Sequence, residues 1–236
     1  MSFLKNIRIK GFQGTTLLDY PDKVASTIFL GGCNFRCPYC HNPELIENKG
    51  EDIDEDWLFG EIEKRRNFIE GICITGGEPL LFDEITDFIR SLKRETGKLI
   101  KIDTNGYNPD LLKKVIESGK CDYIAMDIKS SLKKYFIAAG VNIEEEKIKK
   151  SIDIIMDSKI DYEFRTTVVP EIIKSDDIRE IGTLINGAKK ISLQQFRSIK
   201  TYNEDFQKLK PYKPEELNKF RDILSQFVER IDIKGI

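Results

Sequence analysis

Short β-rich runs alternate with amphipathic helical segments along most of this chain, and that alternation constrains the fold more than any other feature. Strand character is read over 24–30, 72–75, 99–102, 123–126, 162–169 and 191–196. Helical periodicity is read over 55–69, 83–93, 110–117, 144–157, 176–185 and 214–228. Asp54 is placed to cap the first helix, Gly119 and Gly187 to close two others, and Pro214 to open the last. Consecutive βα units require parallel strands joined by right-handed crossovers. Six units fall short of the eight that close a full barrel. The expected fold is therefore α/β, a partial (β/α)6 barrel, with residues 1–236 as a single domain. A doubly wound sheet satisfies the same periodicity. The stretch 198–212 has few apolar residues and is predicted to be a surface loop or cover.

A length of 236 residues fits one domain of the larger kind, and 40% hydrophobic content supports its core without disulfides. Charged residues are 33% of the chain but nearly cancel to a net −2, which argues against a nucleic-acid partner. The first residues carry no signal-peptide pattern. The longest apolar runs, such as 27–30, are far short of the roughly 20 residues a membrane-spanning helix needs. A cytoplasmic protein with no membrane partner is expected.

Polar and glycine-rich clusters sit just after the predicted strands. Cys33 follows the first, Gly76-Gly77-Glu78-Pro79 the second, Asp103-Thr104-Asn105-Gly106 the third and Asp127-Ile128-Lys129 the fourth; residues 194–197 end the sixth. In parallel α/β folds the carboxyl ends of strands converge on the ligand-binding face. One shared site is expected there.

Five cysteines are present, three of them within eight residues: Cys33, Cys37 and Cys40. Such clustering points to metal chemistry rather than a disulfide framework. Cubane iron–sulfur clusters normally take four thiolates. With three nearby, one iron would lack a protein ligand and stay open to substrate, as catalytic metals do. Two alternatives remain on spacing alone: a structural zinc site with His41 as fourth ligand, and an electron-transfer ferredoxin. Cys73, inside an apolar strand, and Cys121 read as ordinary core thiols.

The spacing Cys33-x-x-x-Cys37-x-Tyr39-Cys40 resembles the signature of the radical S-adenosylmethionine superfamily. Gly11-Phe12-Gln13, Leu18-Asp19-Tyr20-Pro21, Gly31-Gly32-Cys33 and Cys40-His41-Asn42-Pro43-Glu44 are similar to glycyl-radical-enzyme activating enzymes, most of all those of anaerobic ribonucleoside-triphosphate reductase. The resemblance implies one 4Fe–4S cluster on Cys33, Cys37 and Cys40, with S-adenosylmethionine as cofactor. It implies cofactor contacts from Tyr39, Cys40, His41, Gly76, Gly77, Glu78, Asp103, Thr104, Asp127, Ile128, Lys129 and Arg165. A monovalent cation is implied beside Asp103, Thr104 and Asp127. Near the adenine, where pyruvate formate-lyase activase has a histidine, this chain has Gln195, Phe196 and Arg197, which weakens that particular assignment. No cysteine cluster follows Cys40 before Gly76, so a single cluster is expected.

The implied reaction is reductive cleavage of S-adenosylmethionine to a 5′-deoxyadenosyl radical, which takes hydrogen from a glycine of a partner enzyme. Flavodoxin or ferredoxin would supply the electron, and no acid–base pair is needed. A radical enzyme acting on a small molecule, of the deazapurine synthase type, and a non-catalytic metal-binding module are the rival readings.

Overall fold

The computed structural model describes residues 6–235. In chain order the elements are β1 (Ile9–Thr16), β2 (Ala25–Leu30), α1 (Pro43–Ile46), α2 (Glu55–Glu63), β3 (Gly71–Gly76), α3 (Ile85–Thr96), β4 (Leu99–Thr104) and α4 (Pro109–Glu117). There follow β5 (Tyr123–Asp127), α5 (Tyr135–Ala139), α6 (Glu145–Asp157), β6 (Asp161–Val168), α7 (Ser175–Leu184), β7 (Lys190–Gln195), α8 (Pro214–Leu224) and β8 (Arg230–Lys234). The strands form one α/β sheet in chain order, with β1 and β8 at its ends. The chain divides into two compact units, one of residues 6–34, 44–124 and 158–161, the other of 35–43, 125–157 and 162–235. Among the described residues, no helix is long and apolar enough to cross a membrane.

In the first unit β2, β3 and β4 run parallel, while β1 pairs with β2 antiparallel. Side chains alternate across a strand, so the register sorts them into two sets. Ile28, Ile74 and Ile102 stand abreast, as do Ser26, Ile72 and Ile100. The other set places Thr27, Cys73 and Lys101 abreast. Both sets are buried, yet only one is predominantly apolar. Parallel strands covered on both faces ordinarily read as continuous apolar runs. Here the second set carries charge.

In the second unit β6, β7 and β8 run parallel. Its sheet also buries charge. The Glu163 carboxylate accepts from Ser192 Oγ at 2.7 Å and from Lys234 Nζ at 3.2 Å, with Lys190 Nζ at 3.4 Å. Burial opposes its ionisation, but these cations and Arg165 outweigh it and hold the carboxyl below its ordinary range.

The six expected strands and their helices are present, and two strands were missed. β1 is broken by register shifts between Ile9 and Gly11 and between Gln13 and Thr16, so it lacks clean alternation. β8 is a five-residue strand reached directly from the turn after α8. Two helices end sooner than expected. α2 stops at Glu63 because Arg65 and Arg66 turn their N–H groups to Ile62 and Glu63, three residues back. α8 stops at Leu224, where Phe227 N–H likewise bonds to Leu224. Asp54 caps α2 as expected, accepting from Trp57 N–H at 3.0 Å. The 198–212 stretch holds a short 3₁₀ turn, Glu204–Lys208.

Asn108 caps α4, accepting from Leu111 N–H at 3.2 Å while its amide donates to the Leu80 carbonyl at 3.0 Å. Asn108→Ala should lower unfolding free energy by about 1–2 kcal/mol in urea titration. Asn108→Asp, which keeps the acceptor and loses the amide donor, should fall between. Equal stability of all three proteins would show that the cap is dispensable.

Candidate active site

Backbone closeness shapes the strand ends of the first unit. Gly76 has φ +117°, and a Cβ there would lie 2.3 Å from the Leu30 nitrogen. A Cβ on Gly77 would meet the Gly32 carbonyl oxygen at 1.8 Å. Only glycine permits this approach. Gly77 N–H donates to the Leu30 carbonyl at 2.7 Å and Glu78 N–H to the Gly32 carbonyl at 2.8 Å. Gly32 N–H donates to Leu45 at 2.6 Å, so both backbone polar groups of the residue before Cys33 are fixed.

Glu78 is almost fully buried. Its carboxylate accepts from Leu80 N–H at 2.9 Å, Thr104 Oγ1 at 2.7 Å and Asn105 N–H at 2.7 Å. Thr104 Oγ1 in turn accepts from Gly106 N–H at 3.0 Å. Glu78 and Thr104, expected as cofactor contacts, are thus joined to one another as the clamp between two strand ends. Asn105 donates from its side chain to Asn34 Oδ1 at 2.7 Å, anchoring the residue after Cys33. Asn105 was read only as a member of the polar cluster after the third strand, and Asn34 was not singled out from sequence. Their pairing is tertiary and leaves no local pattern. Asp103 is ion-paired with Lys101, whose side chain is 1% exposed.

In the second unit Cys37 is buried and Cys40 N–H donates to its carbonyl at 3.0 Å. Burial pushes the Cys37 thiol up to about 11, partly countered by Lys129. Tyr39 is buried, and its hydroxyl has no hydrogen-bond partner among the described residues. Arg36 N–H donates to the Ala139 carbonyl at 2.7 Å, and the Phe35 ring packs edge-on to Tyr135 with centroids 6.4 Å apart. His41 Nδ1 donates to the Lys200 carbonyl at 2.7 Å, and its ring stacks on Phe196 with centroids 6.3 Å apart. Asn203 N–H reaches the Pro38 carbonyl at 2.8 Å. The predicted surface loop therefore braces the cysteine segment.

Asp127 carries a two-cation clamp. Arg165 Nε donates to one carboxylate oxygen at 2.8 Å and Lys129 Nζ to the other at 2.9 Å. Burial opposes ionisation, yet the two cations prevail and hold this carboxyl well below the ordinary range. Lys129 is correspondingly raised, its desolvation outweighed by Asp127. Ile128 is wholly buried, with its N–H on the Arg165 carbonyl at 2.8 Å and its carbonyl accepting from Thr166 Oγ1 at 3.0 Å. Gln195 Nε2 donates to Tyr212 at 2.6 Å, while its buried Oε1 has no partner among the described residues. Arg197 is exposed.

None of the five cysteines is in a disulfide. Cys121 donates to the Tyr123 carbonyl at 3.3 Å, as a core thiol does. Among the described residues, no three His, Cys, Asp or Glu side chains are gathered as ligands of a single metal ion. The donor set nevertheless suits a cubane, whose thiolates sit on separate irons and need not meet at one point. The unpartnered Gln195 Oε1 suits a ligand bearing an N–H donor.

Residues 27–184 match the Radical SAM superfamily. The chain belongs to this superfamily. It is 34% identical over 97% of its length to a "Putative glycyl-radical enzyme activating enzyme" of Methanocaldococcus jannaschii, covering 96% of that protein. This places it among the glycyl-radical-enzyme activating enzymes, oxidoreductases whose family implies a 4Fe–4S cluster and S-adenosylmethionine. The pyruvate formate-lyase 1-activating enzyme of Escherichia coli K12 is 24% identical over 95% of this chain and 97% of that protein. The crystal structure of Streptococcus suis SuiB bound to precursor peptide SuiA superposes with TM-score 0.66 at 15% identity, over 86% of this chain and 46% of that one. This radical SAM chain thus spans about half of that solved structure, and the likeness establishes the shared partial-barrel fold.

The Asp127 clamp sets an acid limit on stability. A depressed folded-state value means the unfolded chain takes the proton first. The contribution is complete above about pH 4 and disappears as pH falls through the folded value. Asp127→Asn should cost about 3 kcal/mol at pH 7 by leaving two cations without their anion. The gap between native and variant urea midpoints should narrow below pH 4; a gap constant with pH would remove the charge from the explanation.

Proposed function

We propose that this chain activates an anaerobic ribonucleoside-triphosphate reductase by placing a radical on one of its glycines. The near full-length match to glycyl-radical-enzyme activating enzymes carries the reading, and the three cysteines within eight residues, none in a disulfide, support it. Cys33, Cys37 and Cys40 would hold one 4Fe–4S cluster as thiolates. A cluster bound there would supply the one-electron reduction that cleaves S-adenosylmethionine for hydrogen abstraction from the partner's glycine.

The chain's own residues bind and orient. The Gly76–Gly77 backbone, held open because no side chain fits, would face the methionine amino group. Glu78, which with Thr104 braces that turn, would lie beside the same amino group. Lys129 and Arg165, steadied by Asp127, would present positive charge to the methionine carboxylate. Gln195 Oε1 would accept from the adenine amine, with the His41–Phe196 stack and Tyr39 bordering the base. Arg197 lies at the exposed margin. A reduced flavodoxin or ferredoxin would deliver the electron, and cytoplasm is the compartment that suits such an oxygen-sensitive centre.

Anaerobic reconstitution with iron and sulfide, followed by reduction, should yield 5′-deoxyadenosine from S-adenosylmethionine. Adding an anaerobic ribonucleotide reductase should produce the carbon-centred glycyl radical signal by electron paramagnetic resonance. Cys37→Ala should reduce cleavage to background. Cleavage without a radical on that reductase, but with one on another glycyl-radical enzyme, would reassign the partner. Zinc bound in place of iron, or no cleavage by the native protein, would overturn the reading.

A further inference from the structure

Lys101 is a lysine in the middle of a strand buried on both faces. Its neighbours Ile100 and Ile102 take one side, abreast of Ile72 and Ile74, so strand alternation sends Lys101 and Asp103 together to the other. There the ammonium is ion-paired with Asp103 and lies 3.6 Å from Cys73 Sγ. The lysine side chain is 1% exposed and the aspartate 12%. A buried ammonium is strongly disfavoured unless an anion faces it. Asp103, two residues on along the same face, is that anion.

Asp103 is also a carboxylate that the family resemblance assigns to a monovalent cation. We propose that the Lys101 ammonium is the resident counter-charge of Asp103, and that this enzyme needs no alkali cation beside its cofactor. The other carboxylate of the expected pair, Asp127, is met within its own unit by Lys129 at 2.9 Å and Arg165 at 2.8 Å. Each carboxylate thus faces side-chain cations already, and an added alkali ion would meet neutralised groups. Thr104, the third expected ligand, has its hydroxyl between Glu78 and Gly106. The residues do not fit an alkali-ion site. A covalently tethered ammonium gives the same charge at fixed occupancy, independent of the salt around it.

The test uses the cluster-loaded protein in potassium chloride and in tetramethylammonium chloride at equal ionic strength, the organic cation being too large to enter. The dissociation constant for S-adenosylmethionine should agree between the salts within about threefold. A greater weakening in tetramethylammonium would overturn the proposal. The thermal midpoint of the same protein should be equal in the two salts; a midpoint several degrees higher in potassium would also overturn it. The binding readout rests on the proposed function, whereas the melting readout does not. Absence of binding in both salts would therefore sink that function and leave the midpoints to decide on the lysine. Lys101→Met should melt well below the native protein, and Lys101→Met/Asp103→Asn should recover part of the loss. A Lys101→Met protein as stable as the native one would refute the pairing.

Discussion

Where β3 ends, backbone lies against backbone more closely than any side chain would allow, and the first unit's site depends on that approach. Gly76 and Gly77 let the turn after β3 bond directly to Leu30 and Gly32 at the end of β2. Glu78 then turns inward and gathers Leu80, Thr104 and Asn105. Three consecutive strand ends are joined by hydrogen bonds rather than by apolar packing. Such bonds are directional, so they fix position where packing would fix only proximity. Cys33 leaves the sheet from a residue whose backbone donor and acceptor are both engaged.

Charge inside the sheet is the second constraint. Removing an ion from water is costly, so every interior charge has to be matched. The sheet interior obeys this in each unit: Lys101 with Asp103, Glu163 with Lys234 and Lys190, Asp127 with Lys129 and Arg165. These pairs contribute little net stability compared with apolar packing of the same volume. What they provide is fixed charge at fixed places.

The six central strands were legible because β-branched runs and helical stripes repeat with different periods. β1 was not, because its bulges break the alternation, and β8 was not, because five residues of alternating charge and isoleucine carry a weak signal. The clustering of three cysteines and the glycine pair after β3 were visible in the sequence, though spacing alone left zinc and ferredoxin readings open beside the cubane. The roles of the polar residues were less so. Glu78 and Thr104 were read as cofactor contacts, and the hydrogen bond that joins them to one another left no signal in the sequence. Lys101 escaped notice altogether, although a lysine between two isoleucines in a buried strand is a visible anomaly. The signal was in the chain; its meaning required knowing that both faces of β4 are covered.

The cysteine segment in the second unit is held in place by contacts that need no metal. Gly140, at φ +68°, closes α5 so near the segment that a Cβ would lie 2.0 Å from the Arg36 carbonyl oxygen. Arg36 N–H, the Pro38 carbonyl and His41 Nδ1 are each bonded to residues outside the segment, and the Phe35 ring packs on Tyr135. None of these contacts involves sulfur. In small zinc modules the metal supplies the folding energy, and the ligands have no fixed place without it. Here the path of the segment is set by backbone bonds and ring packing. The thiols of Cys37 and Cys40 are therefore carried by a loop whose course does not depend on a bound metal.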